Sequence, residues 1–211
     1  LAEPSNPGDL APMITVARST GGSGASTLIT HLAAALASID DSGKGVCVID
    51  LDLQSGDVAS YAGVEPKVTV SALLDAGERL DSQLMRSAIT QTRYGYSIIA
   101  APEAITPLDT VDVDQLLRVL TLARRHFGHV LVDLPAVWTN WSLSTVVASS
   151  EVLLVTDLSI ASLRQARRRL DLLRSVGLGR QQLKVVANRM ERGLFETVGV
   201  DEVGDALDCE V

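Results

Sequence analysis

Six short runs along the chain, "MITVAR", "GVCVIDL", "GYSIIAA", "HVLVDLP", "EVLLVTD" and "LKVVAN", are apolar almost throughout and rich in Val and Ile. Strands buried on both faces read this way, whereas a strand with one wet face alternates apolar and polar residues. Between the runs lie amphipathic stretches, among them Val111 to Phe127 and Ser162 to Gly177. The second is closed by a glycine after its last apolar position, a common helix stop. Strand and helix in alternation predict an α/β fold: a doubly wound, mostly parallel sheet with helices on both faces and right-handed crossovers. At 211 residues and 46% hydrophobic, the chain has the size and aliphatic content for one such domain, residues 13–211. The opening "LAEPSNPGDLAP", with its prolines and no periodicity, reads as a flexible linker over residues 1–12 that follows an upstream domain.

Cys47 lies inside an apolar run and Cys209 near the end of the sequence, so a disulfide framework is not expected and Cys47 reads as a small core residue. No apolar stretch approaches the roughly 20 residues of a membrane-spanning helix, and no basic segment followed by an apolar one opens the chain. The expected setting is cytoplasmic, with no integral membrane segment. A formal net charge of -8 argues against a domain that coats nucleic acid through its phosphates, and no specific nucleic acid is expected as a partner.

In a doubly wound sheet ligands bind beyond the carboxyl ends of the strands. The first run passes directly into Gly21, Gly22, Ser23, Gly24, Ala25, Ser26 and Thr27, and then into "LITHLAAALAS". Glycines let backbone N–H groups curl round a phosphate, a helix N-terminus adds partial positive charge, and a hydroxyl after the loop suits Mg²⁺. The standard loop places Lys just before that hydroxyl, where this chain has Ala25. A glycine-rich turn between strand and helix also arises for structural reasons alone. The second run ends "VIDLDLQSGDVA", bringing Asp50, Asp52, Gln54 and Asp57 to the same edge, and paired carboxylates at a strand end suit Mg²⁺ and water handling. Asp133 closes "HVLVD", the place of a metal-holding Walker B carboxylate.

Taken in order, "TGGSGAST", "VCVIDLDLQSGDVA", "YSIIAAPE", "HVLVDLP", "VLLVTDLSIASLRQARRRLDLL" and "VVANRMERG" resemble the ParA/MinD superfamily of deviant-Walker ATPases from Met13 onward. Within it the "DLDLQ-GD-A" and "GAST" stretches are most similar to the CpaE/TadZ branch, the Flp (Tad) pilus assembly and localisation proteins. The family loop reads K-G-G-x-G-K-[ST], with a first Lys that reaches the nucleotide of a partner subunit; here that position is Thr20, so both lysines are absent. The resemblance implies a homodimer that binds ATP with Mg²⁺, and a further strand and helix beyond residue 211. It makes Gly21 to Thr27 the phosphate loop, Ser26, Asp50 and Asp133 the metal set, Asp52 the residue that orients attacking water, and Asn188 with Arg189 the pair beside the base. A charged contact to phosphate is worth roughly 1.5–3 kcal/mol, so the change at Ala25 weakens binding without abolishing it. A cation acting in trans is worth roughly 10³ to 10⁵ in rate, so Thr20 implies slow or absent hydrolysis. Arg18, two residues earlier, is a candidate substitute.

The resemblance therefore implies a localisation factor that works with pilus or secretion machinery proteins at a cell pole or membrane-bound machine. The alternatives are an active partition or septum-site ATPase and a nucleotide-free scaffold. His31 reads as an ordinary helix residue, and the helix carrying Arg164, Arg167, Arg168 and Arg174 as a solvated face or an acidic-partner site. Trp138 and Trp141 follow the third-strand Asp; exposed, they suit a dimer surface that outlasts the missing cation, and buried, they close the local core.

Overall fold

The computed structural model describes residues 10–189, 200–209 and 211. The strands are β1 (Met13–Arg18), β2 (Val46–Asp50), β3 (Thr90–Gln91), β4 (Ser97–Ile99), β5 (His129–Asp133), β6 (Glu151–Thr156) and β7 (Leu183–Ala187). The helices are α1 (Ala25–Ile39), α2 (Val58–Ala62), α3 (Val70–Leu74), α4 (Ser82–Ala88), α5 (Val113–His126), α6 (Asn140–Val147), α7 (Ile160–Ser175) and α8 (Val200–Leu207). All six apolar runs form strands of one sheet in the order β3-β4-β2-β5-β1-β6-β7, parallel except where β3 pairs with β4. The α/β class and the parallel sheet are as expected. The short β3 was not expected: it holds two mostly polar residues, too few for a periodicity to register. It pairs through a turn in which Gly95 takes φ +87° and Thr92 binds the carbonyl of Tyr96.

The helices divide unequally between the faces. One face is sealed by α1 and α2, whose Ala25, Ile29, Ala33, Val58 and Ala62 pack on Val16, Val48 and Leu131. The small alanines let α1 lie close against the strands. The other face carries the larger cluster, with Leu116 and Leu120 of α5, Leu170 and Leu173 of α7, Met13, Ile49 and Val132. Two expected helices form almost where the periodicity put them. The one expected over 111–127 spans Val113–His126, capped by Asp112; the one expected over 162–177 spans Ile160–Ser175, capped by Ser159, with Gly177 left-handed at φ +96°. Cys47 is a fully buried thiol whose pKa burial pushes far up, consistent with a core residue.

The end of the sheet away from the strand tips is closed by the backbone. The carbonyl of Gly45 accepts the N–H groups of both Gly128 (2.8 Å) and His129 (3.3 Å). Asp40, just past α1, accepts from the Gly45 N–H (3.1 Å) and from the Ser42 hydroxyl (3.0 Å). A Cβ at Gly128 would collide with Ser42 Oγ, so the two connections nest.

Of the proline-rich opening, residues 1–9 lie outside the described residues. Ala11 is already tied down, its N–H to the Arg124 carbonyl (3.0 Å) and its own carbonyl to Arg124 Nε (2.7 Å). Among the described residues no helix is long and apolar enough to cross a membrane.

Candidate functional site

The order β2-β5-β1 sets three strand tips side by side. Asp50 pairs in register with Asp133, as does Val16, so Arg18 emerges just beyond the Asp133 tip. The chain leaving β1 is fixed by Ser19, whose N–H donates to the Val155 carbonyl (2.8 Å) and whose hydroxyl donates to Thr156 Oγ1 (3.0 Å). It then turns through Gly22 and Gly24, both left-handed at φ +78° and +93°, conformations that favour glycine. Gly24 precedes α1 with no side-chain cap, so the first N–H groups of the helix remain free for an anion. Beside this loop opens a cavity of about 400 Å³. Its walls are Gly21 to Thr27, Asp52, Gln54, Ser55 and Asp57 after β2, Pro135 to Val137 after β5, Tyr61, Arg18 and Arg189. Every residue expected in the phosphate loop lines it. Thr20 does not: its hydroxyl pairs with that of Ser162 at the start of α7, 3.0 Å away.

At the base of the cavity the guanidinium of Arg18 binds three groups at once. Nη2 donates to Asp133 Oδ1 (2.8 Å) and to Ser26 Oγ (3.3 Å), and Nη1 donates to Asp52 Oδ2 (3.1 Å). The Ser26 hydroxyl in turn donates to Asp133 Oδ2 (2.7 Å). Arg18 is therefore not a free cation reaching outward; it is the counter-ion of its own carboxylates. Burial by itself would lower its pKa, but the Asp133 charge and hydrogen bond, with Asp52 and Asp50, hold it above the ordinary value. Asp50 stands apart, its oxygens accepting the N–H groups of Asp52 (3.0 Å) and Val58 (3.2 Å). Burial and then the Asp133 charge push the Asp50 carboxyl up to about 8. Burial pushes Asp133 upward as well, against the pull of the Arg18 charge and of the hydrogen bonds that Ser26 and Arg18 donate to its two oxygens.

The metal set drawn from the resemblance is thus brought together only in part. Ser26 and Asp133 meet, Asp50 is engaged elsewhere, and the oxygens that face the cavity base are turned to a guanidinium. A divalent cation does not fit this arrangement, because it would sit against a buried positive charge on donors that Arg18 already holds. Among the described residues no group of three His, Cys, Asp or Glu side chains forms a metal site.

Asn188, directly after β7, turns its amide onto the loop: Nδ2 donates to the Ser23 carbonyl (2.8 Å), and a Cβ at Gly24 would strike that same nitrogen. Arg189 has φ +56° and lines the cavity. The two expected base contacts therefore stand at the loop, one bracing it and one facing the space beside it.

Trp141 is buried, with 3% of its surface exposed, and its indole N–H donates to the Leu108 carbonyl (2.8 Å). Of the two readings of this residue the core one holds: the ring closes the core between α6 and the turn before α5. Trp138 is half-buried against the core, and the Arg169 guanidinium lies over its ring at 5.6 Å. Arg169 also donates to the Ala136 carbonyl (3.1 Å) at the cavity wall, a role the sequence reading missed. Its position three residues after Ala166 and one before Leu170, both buried, is the helical signal that marks it as inward-facing. Arg164, Arg167 and Arg168 are exposed, Arg167 pairs with Asp171 (3.3 Å), and Arg174 reaches the carbonyl of Leu207 (3.2 Å). His31 is an exposed helix residue, as expected.

The state of Asp50 has a measurable consequence. A carboxyl whose folded pKa lies above its unfolded value binds its proton more tightly when folded. Its stabilisation is complete below the unfolded value near 3.8 and is lost as pH rises through the folded value near 8. The carboxyls shifted the other way, Asp40, Asp157 and Asp208, lose their contribution only below the ordinary carboxylate range. The unfolding midpoint should therefore fall by several degrees between pH 5 and pH 8, and a midpoint that rises across that window would exclude a protonated Asp50.

The family model for the CobQ/CobB/MinD/ParA nucleotide binding domain, CbiA, matches residues 14–203. The chain is similar to the septum site-determining protein MinD of Thermotoga maritima, 24% identical over 206 residues that span 94% of this chain and 73% of that protein. Among solved structures it is similar to a ParA family ATPase from Chlorobium tepidum, with a TM-score of 0.84 at 20% identity over 95% of this chain and 82% of that one. It is also similar to MinD from Pyrococcus horikoshii complexed with Mg-ADP, with a TM-score of 0.77 at 22% identity over 96% and 79% of the two chains. At these identities the likeness to solved structures establishes the fold alone.

Proposed function

The chain belongs to the CobQ/CobB/MinD/ParA nucleotide-binding family, and from that premise we propose that it is a dimerising, nucleotide-binding localisation and assembly factor for a Flp (Tad) type pilus secretion machine, with very slow or no ATP hydrolysis. The observation that carries the weak-hydrolysis part is the state of Asp52. The residue that would orient attacking water is ion-paired to Arg18 at 3.1 Å, and the phosphate loop beside it has Thr20 and Ala25 at both lysine positions. Both oxygens of Asp52 are already taken, Oδ2 by Arg18 and Oδ1 by the Ser55 N–H, which leaves it poorly placed to orient a water. Retained binding rests on the glycine loop, the uncapped start of α1 and Arg189 at the cavity. The pilus assignment rests on the resemblance of "DLDLQSGDVA" and "GAST" to the CpaE/TadZ branch. In this reading Gly21 to Thr27 hold the phosphates, Arg189 lies beside the base with Asn188 supporting the loop, and Arg18 with Asp52 and Asp133 forms the charged floor, Asp50 standing behind it. Association leans less on ATP than in lysine-bearing relatives, because Thr20 is tied within its own subunit to Ser162.

The likeness to MinD favours a second reading, an active septum-site ATPase. Titration with a fluorescent ATP analogue beside a phosphate-release assay separates the two. The expected result is saturable binding with turnover roughly 10³-fold or more below that of a relative with both lysines. Turnover equal to such a relative's would establish the second reading, and no binding up to millimolar nucleotide would leave a scaffold that keeps only the fold.

A further inference from the structure

Arg18 binds Ser26 and Asp133, two of the residues that the family resemblance assigns to a divalent cation, and we infer that its guanidinium is a built-in replacement for that metal, so that this site takes a nucleoside polyphosphate without Mg²⁺. The inference deepens the nucleotide-binding reading above and rests on it.

The geometry is that of a cation site. Three groups from three segments converge on one charged group: Ser26 at the start of α1, Asp52 after β2 and Asp133 at the tip of β5, with 2.8–3.3 Å between their oxygens and the Arg18 nitrogens. Asp133 is fully buried and Arg18 largely so, and taking either charge from water without the other would be costly. The carboxylates are thereby neutralised by a charge that cannot dissociate, since Arg stays protonated at every accessible pH. A Mg²⁺ ion seeking the same oxygens must displace the guanidinium or lie beside it, and neither offers a gain. Arg18 also lines the cavity beside the loop, so its charge lies where a phosphate would be held. The phosphate charge is also balanced by the free N–H groups of α1 and by Arg189, all of them part of the chain.

The test is a titration of the wild-type chain with a fluorescent ATP analogue in excess EDTA and, separately, in millimolar Mg²⁺. The expected affinities differ by less than about threefold, where each 1.4 kcal/mol or so of metal-mediated binding would add a factor of ten. Affinity tenfold or more tighter in Mg²⁺ overturns the inference while leaving the nucleotide-binding reading standing. Absence of binding in both buffers removes that reading and this one with it. Arg18→Met, which keeps the aliphatic stem and drops the charge, should lose binding at least tenfold in EDTA and recover it in Mg²⁺, with Mg²⁺ alone now raising its unfolding midpoint. The wild-type midpoint should not respond to Mg²⁺, and a response would count against the inference. If Arg18→Met does not fold, the two wild-type measurements decide, and Arg18→Lys supplies the charged comparison: it should bind in EDTA, and a requirement for Mg²⁺ there would oppose the inference.

Discussion

Replacing Trp141 with alanine is expected to lower folding stability by about 3–5 kcal/mol, the range for removing a large aromatic side chain from a core. Three features set the size of the effect. The ring is almost wholly buried, it belongs to the larger of the two core clusters, and its N–H has a single carbonyl partner, that of Leu108. Alanine leaves a cavity and strands that carbonyl without its donor. Chemical denaturation of the wild type and the variant measures the loss. Sedimentation of both, with and without nucleotide, should show the same association wherever the variant remains folded. A variant that keeps its stability but changes its oligomeric state would return the ring to an interface.

Gly56→Ala is expected to be the most damaging of the small changes near the cavity. Gly56 has an ordinary backbone conformation, so the effect is one of space and not of φ. A Cβ there would press on Ala101 Cβ and stand 2.7 Å from both Asp50 Oδ2 and the Asp52 carbonyl. None of these is the far end of a flexible chain, so the segment after β2 must move. Overpacking of this kind costs about 1–3 kcal/mol. The shift should also disturb the Arg18–Asp52 pair and the cavity wall that Asp52, Gln54 and Ser55 form. Gly21→Ala is the internal comparison, because a Cβ there meets nothing within 4 Å and no left-handed conformation is involved. Its stability should stay within about 0.5 kcal/mol of wild type. Equal losses at the two positions would mean that the loop as a whole, and not the crowding at Gly56, sets the response.

The fold was legible because its strands are doubly buried. A run such as "VCVID" has no face to give to water, and only an interior parallel strand uses it so. The convergence of Arg18, Asp50 and Asp133 was half legible: each stands at the end of an apolar run, but that β5 lies between β1 and β2 is a fact of topology and not of sequence distance. What could not be read was the direction of the Arg18 side chain. An arginine at a strand tip can extend into solvent or fold back, and the choice is made by carboxylates 34 and 115 residues away. Trp141 stayed open between core and interface for a related reason. Near a candidate ligand loop an aromatic suits an interface as well as a core, and the carbonyl that settles the matter belongs to a turn 33 residues earlier. Nor could the bond that Asn188 makes be read, since its amide is spent on the Ser23 carbonyl, 165 positions away.

The opposite end of the sheet gives the domain a firm foundation. Gly45 serves two amides at once, Asp40 binds the turn that leads into β2, and Gly128 nests on Ser42. These bonds join the roots of the two strands whose tips carry Asp50 and Asp133. Opening them requires parting the central strands, so their amides should exchange with solvent only when the whole domain unfolds, while loop amides such as those of Gly21 and Gly22 exchange through local motion. A ligand seated at the tips therefore presses against a base that does not yield. Its binding energy goes into holding the entire sheet together, and occupancy at one rim is registered as resistance to unfolding throughout the molecule.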